Sequence, residues 1–193
     1  YNITTSKMAA DLDLKRKFVE QFSFTDPKRF WHFLHHLIPG EHFLTAALDI
    51  AGWDLYGQLS RKPLYQLLGM KWENIPVTDY TLGIDTIENM VAKMKAHPWP
   101  VYKIKVSRPE DITMLEALRK HTTAPFRIDV NEGWTLEDAK KILPSLPGLN
   151  VTMVEQPLAK EEYEAMVELK TISPVPLVAD ESCRTEEDVK KCA

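Results

Sequence analysis

The sequence predicts an α/β protein: a partial (β/α)8 barrel of the TIM type, about five β/α units, preceded by a mostly helical segment. Three observations predict it. Lys105, Asp129, Glu155 and Asp180 fall 24, 26 and 25 positions apart, each at or near the end of a short apolar run. The runs alternate with the period of two that sends successive side chains to opposite faces of a strand. Helix-length stretches separate them, giving the strand–helix order of a parallel sheet.

Residues 1–75 read as helical, with helices expected at about Ser6 to Gln21, Pro27 to Leu37 and Glu41 to Ser60, then a turn from Leu64 to Leu68 closed by Gly69. Asp26 is an N-cap followed by Pro27 at the first helical position, and Pro39-Gly40 stops that helix. Past Pro76 the texture changes. A strand from Val77 to Leu82 is followed by a helix start at Asp85-Thr-Ile-Glu88, and a strand from Val101 to Val106 by one at Ser107 and Pro109. The third strand runs from Phe126 to Asn131, with a helix start at Thr135 and Asp138. The fourth, Val151 to Glu155, precedes a helix from Leu158 to Lys170, and the fifth, Pro176 to Asp180, one that begins at Thr185.

Alternation along the second strand sends Lys103 and Lys105 one way and Tyr102, Ile104 and Val106 the other, towards helices. Asp129 likewise shares a face with Asn131, opposite Ile128 and Val130. A doubly wound sheet would also accommodate five such units. Charge collected at the strand ends favours the barrel, whose chemistry sits at the C-terminal mouth. Closing eight strands would take roughly 75 further residues at this repeat length, so residues 76–193 are expected to be the first five units of a longer protein.

Composition narrows the function classes. Hydrophobic residues make up 44% and charged residues 27%, ordinary for a globular chain, and the net charge of −4 gives no electrostatic reason to expect nucleic acid or an anionic membrane as partner. No run of 18 apolar residues offers a membrane span. Cys183 and Cys192 are too few for a disulfide framework and read as free thiols in a reducing, cytoplasmic compartment; a signal segment preceding Tyr1 is left open.

Buried carboxylates are costly unless paired or metal-bound, so three of them converging at strand ends beside two lysines argue for a metal site. Taken singly, Lys103 and Lys105 would be surface residues on an edge strand, and Asp129, Glu155 and Asp180 helix caps or ion-pair partners at strand ends. Their joint occurrence at one phase of the repeat outweighs both readings. Other residues read as structural: Cys183 as a buried thiol, His32 and His36 as packing and helix surface without a third ligand, and Ala46, Ala47, Ala51 and Gly52 as close helix packing. Trp134 is left open between the barrel mouth and ordinary packing. A Schiff-base aldolase would use a barrel lysine, but has no role for three carboxylates.

The stretch Ala46-Ala-Leu-Asp-Ile-Ala-Gly-Trp-Asp-Leu-Tyr-Gly-Gln58, with Pro63-Leu64 and Leu67-Leu-Gly69, resembles the helix that joins the capping domain to the barrel in the enolase superfamily. Lys103-Ile-Lys105, Asp129-Val-Asn131, Val154-Glu-Gln-Pro157 and Ala179-Asp-Glu-Ser182 resemble the base and metal-ligand strands of its muconate lactonizing subgroup. Thr78-Asp-Tyr-Thr-Leu-Gly-Ile-Asp85 and Asp129-Val-Asn-Glu-Gly-Trp134 are most similar to dipeptide epimerases of the Ala-Glu type.

This resemblance implies that residues 1–75 are the C-terminal helical part of a capping domain, with Tyr1 to Met8 the remnant of a loop over the site. It implies an isomerase, a magnesium-dependent epimerase or racemase that takes the α-proton of a carboxylate substrate, such as a dipeptide, through an enediolate. Asp129, Glu155 and Asp180 would hold the ion, Lys105 would be the base, and Lys103 would favour the neutral base electrostatically. Asn131 would orient a ligand or its water. The opposite-face lysine of the sixth strand and the ammonium-binding acids of the eighth fall outside these 193 residues, so the chain alone is expected to show no turnover. A cycloisomerase or o-succinylbenzoate synthase of the same superfamily, or a non-catalytic fragment, are the alternatives. Homo-oligomerisation is left open.

Overall fold

A computed structural model of the chain describes residues 3–192, which divide between Ile75 and Pro76 into two compact units. The first unit is helical: α1 (Thr5–Glu20), α2 (Pro27–Leu37), α3 (His42–Ser60) and the single turn α4 (Leu64–Leu67). Tyr1 and Asn2 lie outside the described residues. The expected loop over residues 1–8 is otherwise replaced by the start of α1, because the Thr4 hydroxyl accepts from the Lys7 N–H at 3.2 Å and caps a helix there. Asp26 caps α2 in the same way, accepting from Arg29 N–H at 3.0 Å, with Pro27 at the first position.

The apolar stripe of α2 supplies Phe30 and Leu34, which with Ile38 just past its C-terminus and Leu44 form this unit's core. Gly52 lets α3 approach it, since a Cβ there would stand 2.7 Å from Phe30 Cδ1. Ala46, Ala47 and Ala51, expected to permit close helix packing, are exposed instead.

The second unit is a parallel sheet in sequential order, β1 (Tyr80–Leu82), β2 (Tyr102–Lys105), β3 (Phe126–Asp129), β4 (Val151–Glu155) and β5 (Leu177–Val178). Helices follow each strand: α5 (Ile87–Ala96), α6 (Ile112–Arg119), α7 (Leu136–Ile142), α8 (Tyr163–Ile172) and α9 (Glu186–Cys192). Tyr102, Ile104, Phe126, Ile128, Val151 and Val154 meet Met90, Leu115, Leu118 and Leu169 from the helices in one buried cluster. Each such side chain contributes about 1.5–3 kcal/mol by leaving water. The opposite face of the same strands is therefore the one left for polar groups.

Further expectations need correction. The fourth helix begins at Tyr163 rather than Leu158, because the backbone of 157–160 is spent on other partners: Pro157 O accepts from Trp134 N–H and Lys160 N–H donates to Glu132 Oε1. β5 ends at Val178, two residues short of Asp180. Cys183 is half-buried rather than buried, and Cys192 is exposed; both thiols are free. Trp134 packs, being 3% exposed within the main core.

Candidate active site

Strand register builds the site. Lys105 pairs with Asp129 and Asp129 with Glu155, so these three stand side by side in the last row of β2, β3 and β4. The row beneath places Lys103 opposite Arg127, whose guanidinium bonds Asp79 at 3.0 Å. The inner face is thus charged over two layers, and Arg127 and Asp79 stand outside the site candidates legible in the sequence.

Lys103 Nζ donates to both oxygens of Glu155 at 2.7 Å and lies 2.8 Å from Asp129 Oδ2. Lys105 Nζ reaches the same Asp129 oxygen at 2.6 Å and donates to Asn131 Oδ1 at 2.8 Å. Asp129 is only 1% exposed. Burial alone would push its carboxyl up, but the Lys103 and Lys105 ammonium groups outweigh that and hold it below the ordinary carboxylate range. Burial pushes Glu155 up, and the adjacent Asp129 charge adds to this against the hydrogen bond from Lys103. Burial also draws Lys103 down, yet its bonds to the two acids prevail and raise it, so it remains an ammonium ion.

The turns that follow these strands are held in uncommon backbone. Asn131, Glu132 and Gln156 have φ of 47°, 67° and 38°, a left-handed region that non-glycine residues enter at a cost and that clusters at functional sites. Gly133 lets this turn lie against the one after β2, since a Cβ would stand 2.3 Å from Ser107 O. Gln156 is fully buried and uses its whole amide. Nε2 donates to Leu158 O and Ser182 Oγ, while Oε1 accepts from the N–H groups of Asp180 and Ser182. It therefore fastens the segment after β5 to the end of β4. Its place in Glu-Gln-Pro was visible in the sequence, but its task depends on a positive φ that the sequence does not announce.

The structure gathers Lys103, Lys105, Asp129, Glu155 and Asn131 and leaves Asp180 apart. Asp180 is exposed, and among the described residues no hydrogen bond or ion pair joins its side chain to the others. No three Asp, Glu, His or Cys residues stand close enough to hold a metal ion, among the described residues. The physical reason is that Asp180 lies beyond the end of β5, where strand alternation no longer directs side chains, and lysine ammonium groups lie against Asp129 and Glu155. The donor chemistry still suits a hard cation, which takes carboxylate oxygens. Glu181, beside Asp180, reaches the network instead: its Oε1 accepts from Asn131 Nδ2 at 3.0 Å, and its Oε2 is buried without a partner among the described residues.

Comparison with known proteins agrees with this architecture. The family described as Enolase C-terminal domain-like matches residues 85–193. An L-Ala-D/L-amino acid epimerase of Maribacter sp. is 42% identical over 192 residues, covering 100% of this chain and 57% of that protein. An L-Ala-D/L-Glu epimerase of Bacteroides thetaiotaomicron is 36% identical over 91% of this chain and 47% of its own length. Among solved structures, a dipeptide epimerase from Cytophaga hutchinsonii complexed with Mg and D-Ala-L-Val superposes with a TM-score of 0.76 at 31% identity, covering 88% of this chain and 48% of that one. The chain thus spans about half the length of these relatives, and its parallel sheet is part of the barrel fold they share.

Proposed function

The chain belongs to the enolase C-terminal domain-like family, and from that premise we propose that the whole protein is a magnesium-dependent epimerase of dipeptides. The observation that carries the reading is the single row of Lys105, Asp129 and Glu155 at the strand ends, tied together by Lys103. Relatives named as epimerases of alanine-containing dipeptides support it, as does the dipeptide bound in the Cytophaga structure.

Lys105 Nζ takes the substrate α-proton. Its bonds to Asp129 and Asn131 hold the amine in place, so little reorganisation is needed as the proton moves. Lys103 stays charged between Asp129 and Glu155 and adds positive potential where negative charge develops on the substrate. Asp129, Glu155 and Asp180 would hold magnesium, which supplies electrostatic stabilisation to a substrate carboxylate becoming an enediolate. Asn131 orients the base.

The test is exchange of the α-proton of L-Ala-L-Glu and of its epimer with solvent deuterium. Exchange is expected only with magnesium present, and Lys105→Ala is expected to slow exchange from one epimer by about 100- to 10,000-fold before the other. Undiminished exchange after chelation would remove the cation from the reaction. Turnover of muconate without dipeptide exchange would replace the epimerase reading with a cycloisomerase.

A further inference from the structure

We propose that Glu181 is a positioning residue: it fixes which way the Asn131 amide faces and thereby aims the Lys105 amine at the substrate. The proposal rests on the epimerase reading above and adds to it a residue outside the base and the acids assigned there.

Asn131 stands between two groups of opposite hydrogen-bonding character. Its Oδ1 accepts from Lys105 Nζ at 2.8 Å, and its Nδ2 donates to Glu181 Oε1 at 3.0 Å. An amide has a donor end and an acceptor end, a lysine amine offers N–H donors, and a carboxylate only accepts. One orientation satisfies both neighbours. Turning the amide over would set Nδ2 against the lysine N–H groups and Oδ1 against the carboxylate, losing both bonds at once. Without Glu181, only Lys105 would distinguish the two orientations.

The surroundings leave this amide as the movable part. The Asn131 backbone is held at a φ of 47°, its N–H donates to Asp129 Oδ1 at 3.2 Å, and the next N–H, of Glu132, bonds Gln156 O at 2.9 Å. Glu181 is anchored from the other side. The N–H groups of its two neighbours, Asp180 and Ser182, both bond Gln156 Oε1, at 2.9 and 3.1 Å. The carboxylate then reaches across 50 positions of sequence to Asn131 while its own Oε2 is buried and unpartnered among the described residues. A packing role alone would not call for a carboxylate there, since an unmatched buried acceptor is a cost.

The consequence concerns the lone pair of the base. A neutral lysine amine has two N–H bonds and one lone pair, and Lys105 has two acceptors within reach, Asp129 Oδ2 and Asn131 Oδ1. With both N–H bonds spent on them, the lone pair is left with one direction. If the amide turns over, one acceptor disappears and the amine rotates about its last bond. Misaimed reacting atoms are expensive, a displacement of about 1 Å costing on the order of 100-fold in rate.

The experiment measures α-proton exchange from each epimer of the dipeptide, with magnesium, in the full-length protein and its variants; Lys105→Ala identifies the epimer that gives its proton to Lys105. Glu181→Leu is expected to slow that epimer by about 10- to 100-fold relative to the other, with KM little changed. Glu181→Gln keeps an acceptor oxygen for Asn131 and is expected to restore most of the loss. A second pair of variants does not depend on the leucine protein folding. Asn131→Asp sets two carboxylates face to face and should be impaired, and adding Glu181→Gln, which can donate to the new aspartate, should recover part of it. Equal slowing of both epimers by Glu181→Leu, or a glutamine variant as impaired as the leucine one, would overturn the positioning role alone. Absence of exchange in the unsubstituted protein would overturn the epimerase reading and this inference with it.

Discussion

Lys103 shows how much one side chain carries at this site. Its ammonium group is the shared partner of Asp129 and Glu155, and it is 20% exposed beside an Asp129 that is 1% exposed. Removing one partner from such a buried cluster leaves uncompensated charge. Lys103→Met is therefore expected to lower stability to denaturant by about 3 kcal/mol at neutral pH. Under the proposed function, magnesium should return more stability to that variant than it adds to the parent, because a bound cation would take over neutralising the acids. Equal stabilisation of both by the ion would place it elsewhere. Lys103, Lys105 and Asp129 were legible in the sequence because the two-residue period of a strand fixes which face each side chain takes. For Asp180 only the strand assignment failed: it lies past the last strand residue, Val178, where that rule has no force. Glu181 and Gln156 were not legible, since their roles arise from a turn at a φ of 38° and from contacts between segments 24, 26 and 50 positions apart.

Among the elements, α5 has the most elaborate start. The Thr86 hydroxyl caps it by accepting from Asn89 N–H at 3.3 Å, and Asp85 just before it accepts from Asn89 Nδ2, Lys93 Nζ and Thr86 N–H at 2.9, 3.0 and 2.8 Å. Those bonds, the Asn89 amide first and then the Lys93 ammonium, lower the Asp85 carboxyl from 3.8 to about 2. A folded-state value below the unfolded one means a contribution that is complete above the unfolded value and disappears as pH falls through the folded one. Asp85→Asn is thus expected to lower the melting temperature at pH 7, with the gap to the parent closing between about pH 3.8 and 2. A gap that stays constant across thermal scans in that range would show that charge at Asp85 is not the cause. Most helix starts could be read because caps are local chemistry: Asp26, Thr86 and Thr135 all do what their residue types allow. The late start of α8 could not, because Glu132 Oε1 and Trp134 N–H claim the backbone of 157–160 from a different β/α unit.

At the scale of the whole molecule, the sheet of Pro76–Ala193 has open sides at β1 and β5 among the described residues. Parallel strands are rarely left uncovered, and an unpaired edge beside apolar surface is a site of self-association. The β5 side has such surface. A groove of about 890 Å³ runs there, lined by Met166, Val167, Val175 and Leu177, with Val167 62% exposed. The 193-residue chain by itself is therefore expected to associate in a concentration-dependent way, visible by sedimentation. Val167→Lys should reduce that association while leaving the melting temperature of dilute protein nearly unchanged, because an exposed helix position loses no buried contact and lysine is as good a helix former as valine or better. If the lysine variant associates as strongly as the parent, contact runs through another face. If it associates less but also melts earlier, Val167 supports the fold itself, and the groove beside β5 is then part of the core rather than an open flank.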